Sequence, residues 1–243
     1  MSIYLYAFNE YAWFDRIFLR QNAPDKFNTW DILTNWTNEY LVLWDHIEFQ
    51  EIYTYLYTPK FEMTLVYKEL LSPETVQLVH WMVYEWYTSY KNVIKLFLDQ
   101  EIDKLLAKEI KIKKKKSYSC KIWGNTISGT WESQTLIVFP DIWSFTNLID
   151  QENFEGIFLY SLDTQSKKNT NRWKIKKGEW LICTTSSEIF QDYSNLKKIY
   201  FVEPQKWYYT SQQDPRYKID MVIKKLAELH NAEIKEISSE MLY

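Results

Sequence analysis

Residues 180–217 read WLICTTSSEIFQDYSNLKKIYFVEPQKWYYTSQQDPRY and contain two apolar runs, WLIC at 180–183 and KIYFV at 198–202. Two runs of the same kind, TLIVF at 135–139 and GIFLY at 156–160, precede them, and a helical pattern follows over about residues 216–230. Near-continuous apolar strands that alternate with helices are typical of an α/β layer built on a largely parallel sheet. The sequence therefore predicts such a layer over residues 117–243.

The residues before this layer have a different character. Residues 1–66 alternate aromatic and polar side chains, as in YLYAF, YLVLW and EIYTYLY, which predicts short strands. Ser72-Pro73-Glu74 has the signature of a helix start, because serine caps, proline suits the first helical position and glutamate suits the positive end of the dipole. We therefore predict a β-rich domain over residues 1–110 that ends in helices at about 72–109.

A lysine run, KIKKKK at residues 111–116, separates the two regions. A charge run of this kind is typical of a solvated linker. The alternative is a local contact with nucleic-acid phosphates, because clustered lysines supply affinity that is independent of base sequence. The residues that would make this contact are Lys113, Lys114, Lys115 and Lys116.

The composition excludes several classes of protein. The formal net charge of the 243 residues is -3, so bulk electrostatics does not indicate a nucleic-acid partner. Cys120 and Cys183 do not have zinc-ligand spacing, and the three histidines are scattered, so no metal site is expected. The N-terminus does not have the pattern of a signal peptide, and no apolar run approaches the ~20 residues of a membrane span. We expect a cytoplasmic protein with no cofactor and no membrane partner.

Residues 180–217 resemble the first helicase lobe of the primosomal protein N′ family, the PriA-type replication-restart DNA helicases. The two align without a gap, and the matches are Asn195-Leu196, Tyr209 and Pro215-Arg216-Tyr217. Further pieces resemble the family in the same order upstream: Phe139-Pro140-Asp141-Ile142, Tyr160-Ser161, Trp173 and Gly178-Glu179. The resemblance implies a RecA-like, P-loop-type α/β lobe.

The resemblance also locates a nucleotide site and indicates that the site is degenerate. The phosphate-loop positions are Gly124, Thr126, Ser128, Gly129 and Thr130, and Thr130 stands where the family has its lysine. The family's Asp-Glu-Glu-His motif becomes Val202, Glu203, Pro204 and Gln205. Without the lysine, the magnesium ligand and the motif aspartate, no group neutralises the phosphate charge or orients the attacking water. We predict a pseudo-helicase with no catalytic residues.

Spacing predicts that the lobe lacks its first crossover helix. Between Gly129 and Thr135 there is room for a turn, whereas a parallel crossover needs about a dozen residues. Two arrangements of residues 120–123 are open: antiparallel pairing with residues 135–139 as a hairpin, or an irregular arm outside the sheet. In either case we expect side chains such as Ile127 and Trp131 to fill the place of the triphosphate.

Residues 14–18, FDRIF, resemble the opening of the family's 3′-end DNA-binding domain. We therefore expect a non-catalytic DNA-binding protein of DNA replication or replication restart, with branched or 3′-ended DNA as its partner. Arg16 and Arg20 join the lysine run as candidate DNA contacts. The alternatives are a protein-interaction scaffold at the replication fork that does not bind DNA and, less favoured by the degenerate motifs, an active ATP-dependent helicase.

The chain has 12 tryptophans and only 4 glycines. Trp30, Trp36, Trp44 and, as a weaker case, Trp143 stand where the family tends to have glycine. One explanation is aromatic enrichment for core packing or base stacking. The other is a gene from an organism that reads UGA as glycine, translated here with another code.

Overall fold

The computed structural model of the protein describes residues 2–8, 17–22, 31–34, 39–44, 64–67, 70–98, 117–122, 125–130, 132–148, 156–205, 209, 211 and 215–238. The chain divides into two compact units, residues 1–76 with 89–92, and residues 77–88 with 93–243. The lysine run lies outside the described residues, so the predicted boundary at 111–116 stays a prediction.

The first unit contains a five-stranded antiparallel sheet in the order β2-β1-β4-β3-β5. Its strands are β1 Ser2–Phe8, β2 Ile17–Asn22, β3 Ile32–Thr34, β4 Glu39–Trp44 and β5 Thr64–Tyr67. The strands predicted from YLYAF and YLVLW are confirmed as parts of β1 and β4, because period-2 alternation of aromatic residues suits a half-buried strand. The third predicted run, residues 51–57, lies outside the described residues.

Two helices follow, α1 Pro73–Glu85 and α2 Tyr90–Phe97. The predicted helix start is confirmed, because Ser72 Oγ accepts a hydrogen bond from the N–H of Thr75 at 3.3 Å. Ser89 caps α2 in the same way, accepting from the N–H of Asn92 at 3.2 Å. The second helix was predicted over about residues 92–109, and its part beyond residue 98 lies outside the described residues.

The second unit contains a five-stranded parallel sheet in the order β12-β11-β8-β10-β9. The strands are β8 Gln134–Phe139, β9 Ile157–Leu159, β10 Leu181–Thr185, β11 Leu196–Val202 and β12 Glu233–Ile237, with helices α3 Ile142–Leu148, α4 Gln165–Lys176 and α5 Ile219–His230 between them. The protein is thus mixed α/β, and the four predicted apolar strands and the helix over about 216–230 are confirmed. Strand β12 was not predicted, because EIKEI is too polar to be recognised as a buried strand.

The segment before the parallel sheet forms a hairpin of its own, from β6 Ser117–Ile122 and β7 Asn125–Thr130. The predicted pairing of residues 120–123 with residues 135–139 is therefore wrong, and so is the irregular arm. Strand β6 is antiparallel to β7, with Cys120 opposite Ile127. A two-residue connection brings neighbouring strands together at little entropic cost, so this local pairing is formed instead of one with the central strand β8.

The hairpin packs on one face of the parallel sheet. Ile122 and Ile127 are almost fully buried and share a core cluster with Phe139, Cys183 and Val202. We call this face the hairpin face. Alternate residues of the same strands, including Phe201 and Ile199, project from the opposite face, where α5 contacts β11 and β12; we call it the helix face.

Candidate functional site

The carboxyl edge of the parallel sheet is the candidate functional site. From β8 the chain leads to β9 on one side of the sheet, whereas from β11 it leads to β12 on the other side. Adjacent strands whose connections leave in opposite directions form a crevice at their carboxyl ends, and ligands of open α/β sheets bind there. Here the crevice lies between the ends of β8 and β11.

Glu203, the acid that the resemblance identifies, lies directly after β11 at this crevice. Its backbone has φ +53°, a left-handed conformation that is unfavourable for a residue with a Cβ. Its N–H donates to the carbonyl of Ile237 at 2.7 Å, and Gln205 Nε2 donates to its Oε2 at 2.8 Å. The side chain is 5% exposed. Glu203 is therefore a buried acid held by an amide neighbour on a strained backbone.

Tyr209 connects the two strands that border the crevice. Its hydroxyl donates to the carbonyl of Val202 at 2.6 Å and lies 3.4 Å from the carbonyl oxygen of Val138. Its ring meets Phe201 edge-to-face at 4.7 Å between centroids. The tyrosine therefore satisfies the carbonyl at the end of β11 and fills the helix face beneath it.

The ends of β8 and β10 complete the edge. Asp141 caps α3, since its carboxylate accepts from the N–H of Ser144 at 2.7 Å and from Ser144 Oγ at 3.1 Å. After β10, the hydroxyls of Thr185 and Ser187 lie 3.3 Å apart, and Ser187 is exposed. Trp143, two residues beyond Asp141, is 75% exposed. The edge therefore offers hydroxyls and an aromatic face, and the aspartate that follows β8 is already used as a cap.

A buried ion pair supports the loop that follows β10. Lys168 Nζ on α4 lies 2.8 Å from Glu188 Oε1, and both side chains are about nine-tenths buried. Gln191 Nε2 donates to the carbonyl of Glu188 at 3.0 Å. Burial, followed by the charge of Glu188, raises the pKa of Tyr217 to about 12, against a partial opposing effect of a hydrogen bond with Ser211. Sequence reasoning missed this pair, because a lysine in a polar helix gives no sign that it is buried.

The predicted phosphate-loop positions lie on the hairpin and not at the crevice. Thr126, Ser128, Gly129 and Thr130 are strand residues of β7, while Gly124 lies outside the described residues. An extended strand directs successive N–H groups to opposite sides, so they do not converge on one anion as a loop at a helix N-terminus does. Strand β8 begins at Gln134, and no helix lies between β7 and β8 among the described residues. That the lobe is RecA-like and has lost a crossover helix stays a prediction.

The expectation that side chains fill the place of a triphosphate stays a prediction, because Ile127 lies on the hairpin face and not at the crevice. Ile127 is 1% exposed and lies in the core cluster of the hairpin face. Trp131 lies outside the described residues. The segment that resembles a phosphate loop is thus an apolar cover of the sheet, with its polar residues Thr126 and Ser128 exposed on the outside.

The candidate DNA contacts fall mostly outside the described residues, which include neither Arg16 nor Lys113, Lys114, Lys115 and Lys116. Arg20 lies on β2, opposite Tyr4 of β1. Their role as DNA contacts therefore stays a prediction.

The two cysteines are buried on the hairpin face and are poor nucleophiles. Burial raises the pKa of the Cys120 thiol to about 11, and burial together with the nearby Cys120 raises that of Cys183. In the described part of the chain, no group of three or more His, Cys, Asp or Glu side chains is placed to hold a metal ion. Nor is any helix there long and apolar enough to cross a bilayer.

Gln134 is a second feature that sequence reasoning missed. It is 1% exposed at the amino end of β8, and its Nε2 donates to the carbonyls of Ile175 at 2.8 Å and Glu179 at 2.9 Å. Its Oε1 accepts from the N–H groups of Ser194 at 2.8 Å and Asn195 at 3.0 Å. One buried amide thus joins the end of α4 to the start of β11.

Comparison with known proteins finds no match for this chain, either to a protein-family model or to a curated protein.

Proposed function

We propose that this chain is a cytoplasmic, non-catalytic DNA-binding protein of replication or replication restart, similar to primosomal protein N′ with a degenerate RecA-like lobe. One observation carries the proposal. The segments that resemble family motifs follow β8, β10 and β11, three adjacent strands of the parallel sheet, and therefore meet at one edge. They are Pro140-Asp141, Glu203-Pro204-Gln205 and Thr185-Ser186-Ser187, the last of which stands where the family has a Thr-Arg-Ser motif.

The chemistry of this edge supports a non-catalytic role. Glu203 has Gln205 as its partner, and Val202 takes the position of the family's metal-coupling aspartate. Thr130, in the lysine position, is on a strand of the hairpin. Phosphoryl transfer needs a cation and a metal to neutralise charge that develops on the phosphoryl oxygens. None of these positions supplies either, so we expect no ATP hydrolysis with or without DNA.

Local charge and exposed aromatic side chains are the basis of the proposed DNA contact. The lysine run provides phosphate contacts, and Arg16 and Arg20 add to them. On the second unit, Tyr87 is 97% exposed and Trp143 is 75% exposed, so both present faces on which bases stack.

A titration with forked DNA at two salt concentrations tests the proposal. Replacing Lys113–Lys116 by alanine should weaken binding without sequence preference and reduce the slope of log K against log salt by roughly 3 to 4. A matched control removes the same charge from four exposed lysines elsewhere: Lys95, Lys121, Lys177 and Lys224. Equal loss in both variants, or no binding of forked DNA by the wild type, would contradict the proposal.

The second candidate function is a protein-interaction scaffold that does not bind DNA. The net charge of -3 favours it, as do Trp143 and Leu162, which are 75% and 80% exposed after the carboxyl ends of β8 and β9. Exposed apolar side chains of this size are more typical of protein-binding surfaces than of phosphate-binding ones. The same titration separates the two functions, because a scaffold gives no salt-dependent DNA binding.

A further inference from the structure

A groove lies beside β12, on the helix face of the parallel sheet. Its volume is about 640 Å³, and its apolar lining consists of Phe201, Ile223 and Ile234. Two charged side chains of α5, Asp220 and Lys224, border it together with Glu236 of β12. The groove is large enough for several side chains and has the apolar floor and polar rim of a recognition site.

Strand β12 itself is the edge of the sheet. All five of its residues pair with β11, from Lys198 opposite Glu233 to Val202 opposite Ile237. No strand of the described residues pairs with its other side. An edge strand carries outward N–H and C=O groups that form a template for a further strand.

The register links this edge to the groove. Ile234 and Glu236 are opposite Ile199 and Phe201, so their side chains share the helix face. A strand added beside β12 would direct every second side chain to the same face, where the groove lies. The added strand would therefore gain backbone hydrogen bonds from the edge and side-chain burial from the groove.

The charges around the groove select the occupant. Lys224 Nζ lies 3.5 Å from Asp220 Oδ2, whereas the side chain of Glu236 is exposed and has no hydrogen bond or ion pair with the residues that the structure describes. On the other face of β12, Lys235 already lies 3.4 Å from Glu233. The unbalanced charge beside the groove is therefore negative, which rejects an acidic strand and favours a basic one.

We propose that β12 and its groove bind an extended segment of a partner protein by strand addition, and that the side chains which this segment directs to the helix face are apolar and basic in turn. Main-chain hydrogen bonds to β12 supply affinity, and pockets for alternate side chains supply specificity. The apolar side chains cover Ile223 and Ile234, and a basic side chain pairs with Glu236. This surface is independent of the proposed DNA contact.

Fluorescence anisotropy with the full chain tests the proposal. The probe is a fluorescein-labelled eight-residue peptide, Val-Thr-Lys-Thr-Val-Thr-Lys-Thr, whose valines and lysines share one face of an extended strand. A peptide of the same sequence that is N-methylated at every residue has no backbone N–H groups to donate to a strand edge and should bind at least about tenfold more weakly. Glu236→Lys should weaken the unmodified peptide about fivefold, as expected for loss of a rim ion pair.

The matched control is Glu233→Lys, which makes the same charge change on the same strand but on the opposite face. It should leave peptide affinity within about twofold of wild type. Equal effects of the two substitutions, equal binding of the N-methylated peptide, or a dimer in sedimentation that excludes the peptide would overturn the proposal. The alanine variant of Lys113–Lys116 should bind the peptide as the wild type does, because the peptide assay contains no DNA. Peptide binding and DNA binding are therefore tested separately.

Discussion

Replacing the buried amide of Gln134 should destabilise the second unit far more than the loss of one side chain usually does. Gln134→Leu keeps the volume of the side chain but removes two donated hydrogen bonds, to Ile175 and Glu179. It also removes three accepted ones, from the N–H groups of Ser194 and Asn195 and from Ser194 Oγ. The carbonyl of buried Ile175 loses a partner that water cannot easily replace, whereas the N–H groups of Ser194 and Asn195 belong to exposed residues.

The magnitude follows from these five contacts. A typical intramolecular hydrogen bond contributes about 0.5–1.5 kcal/mol, and a buried group left unsatisfied costs about 1–3 kcal/mol. Two donated bonds on the more buried side and three accepted ones that water can partly replace give a loss of about 3–5 kcal/mol. Gln191→Leu is the matched control, because Gln191 is 3% exposed but makes a single side-chain hydrogen bond, to Glu188. It should cost about 1 kcal/mol.

Hydrogen exchange measured by mass spectrometry on peptides from β8 and β11 is the assay, because it reports on the second unit even if the two units unfold separately. At about 1.4 kcal/mol per factor of ten, Gln134→Leu should speed exchange of the protected amides by at least about 100-fold. Gln191→Leu should change it less than about tenfold. Similar exchange in the two variants would refute the view that Gln134 joins α4 to β11.

Four further predictions concern the site and its supports. Lys168→Met should cost about 3–5 kcal/mol of stability, because it leaves Glu188 buried without its cation. Adding Glu188→Gln should restore most of this loss, as measured by thermal unfolding. If stability is not restored, the ion pair is not the cause. Glu203→Gly should be about 1 kcal/mol more stable than Glu203→Ala. Both variants lose the contact with Gln205, but only glycine relieves the strain of the left-handed backbone. Equal stabilities would argue against that strain. The pKa of Tyr217 is raised in the folded state, so its contribution to stability is complete below pH 10 and is lost between pH 10 and about 12. Tyr217→Phe should therefore flatten the alkaline fall in stability by about 1.4 kcal/mol per pH unit in that window. An unchanged slope would count against the raised pKa. Peptide mass spectrometry of the protein from its own organism should give glycine at Trp143 if UGA is recoded there, and a tryptophan mass would remove that explanation of the exposed ring.

The sequence was most informative where burial is continuous. Strands β8 and β10 are buried along their whole length, so their apolar runs predicted them without tertiary information. Strand β12 escaped prediction because only Ile237 of its five residues is buried. The hairpin was mispredicted because the resemblance to a phosphate loop emphasised its glycines, while Ile122 and Ile127 already alternated with polar residues as strand residues do. Gln134 could not be identified, since the four partners of its amide are 41 to 61 residues away in the chain.

The burial of Ile127 bears on how readily nucleotide binding could arise in this chain. If the segment descends from a phosphate loop, then changing Thr130 back to lysine would supply a charge but leave the backbone paired with β6. Freeing that backbone would also withdraw Ile122 and Ile127 from the cluster that covers Phe139, Cys183 and Val202. Because each isoleucine contributes about 1.5–3 kcal/mol through burial, the first step of such a reversal would weaken the fold before any phosphate was held. Packing of the hairpin therefore opposes such a change, and single substitutions should not produce nucleotide binding.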